Sequence, residues 1–209
     1  MTRAPSFCGV ILAAGESSRM GRDKALLPWP PSPPEPATSR ETLLSATIDA
    51  LAPHTQMVIV VAGKNAQELT PIVYAKGAFI VVNKSPERGQ FSSLQVGLQE
   101  VLNHGRDAAI VALVDRPPAR PDTLTRLCDA FANAYEAGKW AVVPEYKGAH
   151  GHPILIGREM ITAFLAAPPT STAREVEHSL QARILYVPVD DPNVVMNVNS
   201  PEDYAKLAL

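Results

Sequence analysis

Three cations, Arg19, Arg22 and Lys24, follow closely on the apolar run Phe7–Leu12. The residues between them, Leu12-Ala13-Ala14-Gly15-Glu16-Ser17-Ser18, are mostly small. A tight turn needs a glycine or two, not a set of cations. Small side chains let backbone N–H groups approach a ligand closely, and an anion is the ligand they suit. Arginine offers a planar fork for phosphate oxygens and lysine a compact charge. Read from residue types alone, the stretch is either a phosphate cradle or solvated surface charge. Two familiar phosphate motifs are absent. Gly15 and Gly21 are separated by five residues and followed by Arg22, which is not a P-loop, and no Gly-x-Gly-x-x-Gly follows the first apolar run.

Four later stretches carry further candidates. In ALVDRPP, Asp115 stands at the end of an apolar run, where a carboxylate either organises an Asp-x-Pro turn or ligates Mg²⁺. In NKSPERGQFSSLQVGL, Asn83 to Leu98, Ser92 or Ser93 suits the N-cap of the helix that follows. His150-x-His152 places two imidazoles on one strand face. With no cysteine or third ligand near, zinc is disfavoured, and His152 reads instead as a loop-orienting or substrate-contacting group. In MNVNSPEDY, Ser200 reads as a helix N-cap with Pro201 at the first helical position and Asp203 at the third. That leaves Asn197 and Asn199 unexplained.

These residues need a frame. Apolar runs at Phe7–Leu12, Met57–Ala62, Ala78–Val82, Ala108–Val114, Trp140–Pro144 and Ile184–Val189 predict strands, several of them covered on both faces. Between them lie helical stripes, Leu94, Leu98, Val101 and Leu102 in one, Leu124, Leu127, Phe131 and Tyr135 in another. Strand–helix alternation predicts an α/β fold: one doubly wound, mostly parallel sheet with ligands at the C-terminal strand ends. Six of the twenty prolines fall within PWPPSPPEP, so residues 28–38 form an insertion loop, either a stiff surface excursion or a flap beside the site.

At 209 residues the chain suits a single domain over 1–209. A net charge of −2 argues against nucleic-acid or anionic-membrane partners, so any anion site must be local. The two cysteines, Cys8 and Cys128, make a disulfide framework unlikely and fit the reducing cytoplasm. No apolar run approaches the roughly 20 residues of a bilayer span. Arg3 before FCGVILAA imitates a signal peptide, but the apolar run is short and leads straight into the cations.

Taken together, Leu12-Ala13-Ala14-Gly15-x-Ser17-x-Arg19-Met20-Gly21-x-Asp23-Lys24-x-Leu26-Leu27 resembles the N-terminal motif of the MobA-like nucleotidyltransferases, more narrowly the molybdenum cofactor cytidylyl- and guanylyltransferases. Asn83…Gly89…Ser93-Leu94, Asp115-x-Pro117, Gly151-His152-Pro153 and Asn199-Ser200-Pro201-Glu202-Asp203 resemble later elements of the same family, in the same order. The resemblance implies a Rossmann-like nucleotidyltransferase fold and transfer of a nucleoside monophosphate to a phosphorylated acceptor of molybdopterin type. It implies catalytic roles for Arg19, Lys24 and Asp115. The nucleotide would be held by Leu12, Ala13, Ala14, Gly15, Arg19, Lys24, Asn83, Gly89 and Ser93. His152 and Arg174 would lie on the acceptor side, and Mg²⁺ on Asp115 with Asn199 or Asn197. Beyond its small-molecule substrates, contact with a molybdoenzyme maturation factor follows as an expectation. Guanylyltransferase relatives read Leu-Ala-Gly-Gly where this chain reads Leu12-Ala13-Ala14-Gly15, which implies CTP. The asparagines near the C-terminus, where many cytidylyl relatives carry aspartate, pull toward GTP.

Overall fold

The computed structural model describes residues 6–15, 17, 20–31 and 41–207. Four apolar runs become the parallel strands β1 (Phe7–Ala13), β2 (Met57–Ala62), β3 (Phe79–Val82) and β4 (Ala108–Leu113). They belong to an eight-stranded sheet with β5 (Ala141–Tyr146), β6 (Ala149–His150), β7 (Ile154–Gly157) and β8 (Ile184–Pro188), in the order β3-β2-β1-β4-β7-β5-β6, with β8 also paired to β5. Residues of β1 alternate between two buried layers. Phe7, Ile11 and Ala13 face one apolar cluster, and Cys8, Val10 and Leu12 the other. Both faces of β1, β2 and β4 are dry, which is why these strands read as continuous apolar runs, whereas the edge strand β3 leaves Phe79 and Val82 exposed.

Helices cover each face. α1 (Leu43–Leu51), α2 (Ala66–Ala75) and α4 (Pro121–Glu136) pack on the first cluster, α3 (Gln90–Asn103) and α5 (Arg158–Ala166) on the second. The stripes of α3 and α4 point inward, with Leu98, Val101, Leu127 and Phe131 fully buried. Thr42 caps α1 through the Ser45 N–H, and Ser200 caps α7 (Pro201–Lys206) through the Asp203 N–H, the reciprocal arrangement expected from Ser-Pro-Glu-Asp.

Two strands were not expected. β7 (Ile154–Gly157) lies antiparallel between β4 and β5, and the short β6 (Ala149–His150) hairpins onto β5. Both flank the Gly-His-Pro element. A four-residue run with no helical crossover before it carries little signal of its own, yet β7 joins the two parallel parts of the sheet. The proline-rich loop is clasped at its base, where Pro28 bridges Thr42 and the Tyr204 hydroxyl donates to the Pro28 carbonyl at 2.5 Å. Residues 32–38 of that loop lie outside the described residues.

Candidate functional site

The C-terminal end of β1 runs directly into the cationic segment, and a second loop holds it there. Asn65, after β2, donates from Nδ2 to the Ala13 carbonyl at 2.8 Å and to Asp23 Oδ2 at 2.5 Å, while its Oδ1 accepts the Gly63 N–H. The other Asp23 oxygen accepts the Ala25 N–H at 2.9 Å and caps a single helical turn, Lys24–Leu26. The Lys24 N–H donates to Ser17 Oγ at 3.0 Å, and Ser17 holds a left-handed φ of +48°. Strained non-glycine backbone of this kind persists where its surroundings fix it. Asn65 was not foreseen, and Ser17 stood in the N-terminal motif without an assigned role. Position alone could have flagged Asn65, since loops after neighbouring parallel strands meet at the same sheet edge.

Lys24 then reaches across the sheet edge. Its Nζ donates to Asn199 Oδ1 at 3.0 Å and lies 3.5 Å from Asp115 Oδ2. Asp115 follows β4, and its carbonyl accepts the Val198 N–H at 2.7 Å, tying the C-terminal segment to the strand end. Residues from three distant parts of the chain therefore meet at one cation. With 12% and 29% of their side-chain surfaces exposed, Lys24 and Asp115 are screened less than a surface pair. Asp115 Oδ1 is buried without a hydrogen-bond partner among the described residues.

A cleft of roughly 690 Å³ opens beside this centre, lined by Leu12, Ala14, Gly15, Ser17, Lys24, Gly89, Ser93 and Asp115, among others. Asn83 lies behind it. It is buried and donates from Nδ2 to Ser92 Oγ at 2.8 Å and Ser93 Oγ at 3.0 Å. The serines are not the N-cap. α3 starts at Gln90 after Gly89, whose φ of +91° only glycine adopts freely, and Ser92 Oγ donates back to the Gly89 carbonyl. Arg19 lies outside the described residues.

A second, larger cleft of roughly 1650 Å³ shares Leu12, Gly89 and Gln90 with the first and contains Arg88, Arg116, His152 and Arg174. His152 donates its backbone N–H to the Val194 carbonyl at 2.8 Å, and Arg116 Nη1 donates to the same oxygen at 2.7 Å. Burial pushes the His152 imidazole down to about 3, and the neighbouring Arg116 charge acts the same way. The ring is therefore neutral near pH 7 and is no cation for an anionic substrate. Burial also lowers Arg116, while Asp115 opposes that shift.

The α/β sheet is thus mostly parallel, with two adjoining clefts at its C-terminal edge, one of them fitted with a lysine–carboxylate–amide centre. The MobA-like NTP transferase domain model matches residues 9–184, and the chain belongs to that family. It is 29% identical to the molybdenum cofactor guanylyltransferase of Xanthomonas euvesicatoria pv. vesicatoria, over 99% of this chain and 97% of that one. It is 26% identical to the molybdenum cofactor cytidylyltransferase of Escherichia coli, over 93% and 92%. The crystal structure of Rv0371c from Mycobacterium tuberculosis superposes with a TM-score of 0.78 at 27% identity, covering 97% of each chain.

Proposed function

We propose that the chain transfers CMP from CTP to the phosphate of a molybdopterin-type acceptor and releases pyrophosphate. The observation that carries this reading is the meeting of Lys24, Asp115 and Asn199 at the wall of one cleft that adjoins another. An acceptor phosphate oxygen, entering from the larger cleft, attacks the α-phosphorus in line. The bond from that phosphorus to the bridging oxygen breaks, and the electron pair leaves with pyrophosphate. The acceptor brings its own nucleophile, so the protein supplies position and charge. Lys24 and Arg19 balance the charge that gathers on the departing oxygens, and the loop from Leu12 to Gly15 holds the nucleotide.

Asp115 and Asn199 would hold Mg²⁺. Their oxygens are hard donors that already converge on one cation, the Lys24 ammonium, and the unpartnered Asp115 Oδ1 leaves spare acceptor capacity. When bound, the metal neutralises triphosphate charge. Arg174 and the loop fixed by His152 face the acceptor.

Base choice rests on Ala14, which lines the smaller cleft and is only 9% exposed. Its methyl group narrows the space for a purine, a shape effect worth about 1–3 kcal/mol. Acceptor-dependent pyrophosphate release, measured with four NTPs and a panel of phosphorylated acceptors, tests the proposal. CTP with molybdopterin should give the highest kcat/KM, and Ala14→Gly should relax the preference toward purines. A wild-type preference for GTP would make the chain a guanylyltransferase, and a preference for an alditol phosphate would displace molybdopterin.

A further inference from the structure

Arg116 lines the larger cleft with Arg88 and with Arg174 of α6 (Ala173–Ser179). In such a wall a phosphate contact is the ordinary role of a guanidinium. Its hydrogen bond points elsewhere. Nη1 is committed to a backbone oxygen, the Val194 carbonyl, at 2.7 Å, and Nε is buried without a partner among the described residues. Arg116 grips the protein itself.

That carbonyl sits at a junction. The His152 N–H donates to it at 2.8 Å, and a Cβ at Gly151 would collide with its carbon and oxygen. The Gly151-His152-Pro153 loop is thus packed hard against it. Val194 also belongs to the stretch that leads to Asn199, and that stretch is bonded to the segment after β4. The Asp115 carbonyl accepts the Val198 N–H at 2.7 Å. Asn193 Nδ2 donates to the Pro118 carbonyl at 2.8 Å, and the Arg120 N–H donates to the buried Asp191 carboxylate at 2.8 Å. Through one oxygen, the Arg116 side chain therefore holds both the stretch that carries Asn199 and the loop at the larger cleft.

We propose that Arg116 is a positioning residue: by pinning the Val194 carbonyl it sets Asn199 against Asp115 and the Gly151-His152-Pro153 loop against the larger cleft. It touches no reacting atom. The proposal rests on Asp115 and Asn199 holding the metal and on the larger cleft taking the acceptor. The sign of one effect separates positioning from charge. Arg116 is the next residue after Asp115, and that carboxylate opposes the burial-driven lowering of its pKa. Removing the cation would by charge alone tighten Mg²⁺ binding at Asp115. Losing the tie weakens it.

Hydrogen–deuterium exchange of the substrate-free protein, with Mg²⁺ and acceptor titrations of the reaction of CTP with molybdopterin, tests it. Arg116→Met should speed exchange in residues 151–153 and 191–199 and leave β2 unchanged. It should raise both the Mg²⁺ needed for half-maximal activity and the acceptor KM about fivefold, the loss of one hydrogen bond. Arg116→Gln should behave in the same way, and Arg116→Lys, which keeps a charged donor, should recover part of each effect. A smaller folded fraction would lower apparent kcat and move neither titration. Unchanged exchange in both segments, or a Mg²⁺ requirement at or below that of wild type, overturns the inference. In the second case a raised acceptor KM makes Arg116 a substrate contact. Exchange is read without substrates, so a wild type that never releases pyrophosphate, while both segments loosen in Arg116→Met, sinks the transferase reading instead.

Discussion

Lys24 and Asn199 lie 175 positions apart, and a 3.0 Å hydrogen bond from Nζ to Oδ1 joins them at the end of the sheet. Asp115 shares the same ammonium at 3.5 Å. A lysine held this way is preorganised, so its charge needs no reorientation when a triphosphate arrives.

Lys24→Ala should therefore lower kcat roughly 10²–10³-fold, the usual loss for one preorganised charge stabiliser. Thermal unfolding and saturating-NTP kinetics on the same preparation check this. A variant with near-wild-type turnover would leave Lys24 as a structural tie.

Asp115→Asn should raise the Mg²⁺ concentration needed for half-maximal activity, because an amide binds a hard dication less well than a carboxylate does. Asn199→Ala should act in the same direction but more mildly, and Asn199→Asp should lower the requirement. Metal titrations at fixed CTP read all three. An unchanged titration in Asp115→Asn would reduce that residue to a turn former.

Asn65 acts through others. Removing its bonds to Ala13 and Asp23 frees the loop that presents Lys24, so Asn65→Ala should cut kcat/KM for NTP about tenfold, near 1.4 kcal/mol. Asn65→Asp should do worse, since it sets a second carboxylate against Asp23. The loss should appear as a raised KM for NTP with the acceptor KM unchanged, whereas a smaller folded fraction would lower apparent kcat and leave both KM values as they are.

His152 gives a pH signature. Its folded value of about 3 lies below the ordinary 6.5, so the unfolded chain binds the proton more readily. Its contribution to stability is full above about pH 6.5 and is lost as pH falls toward about 3. Chemical denaturation across that range should show a flatter pH slope in His152→Gln than in wild type.

Gly97 shows how close α3 sits to the sheet. A Cβ there would meet Val10 Cγ1 at 2.6 Å and Val61 Cγ2 at 2.9 Å, both in the core. Gly97→Ala, which would stabilise an exposed helix, should here cost about 1–3 kcal/mol through overpacking, read as a lower unfolding midpoint.

Strands β1, β2 and β4 were legible because both faces are buried and their runs are apolar throughout. β7 was not, since Ile154–Gly157 is short and its antiparallel pairing needs no preceding helix. At the site, Lys24, Asp115 and Asn199 stood out as residue types at strand and helix ends. What joins them was invisible, because a hydrogen bond across 175 positions leaves no local pattern. Ser92 misled for a related reason. A serine before a helical stripe looks like a cap, whereas the turn is made by Gly89 with positive φ and the serine is held from below by Asn83. Asn65 carries no motif at all, and its meaning comes only from what it holds, the Ala13 carbonyl and Asp23.

The central claim is direct transfer: the acceptor phosphate attacks the α-phosphorus, with no protein nucleophile between. Single-turnover reaction of CTP labelled at the α-phosphate, with the acceptor and Mg²⁺, tests it. The label should pass to the acceptor at the rate pyrophosphate forms, leaving the pyrophosphate and the protein unlabelled, and Lys24→Ala should slow both signals together. Label found on the protein, or released as free CMP without acceptor, would contradict the account.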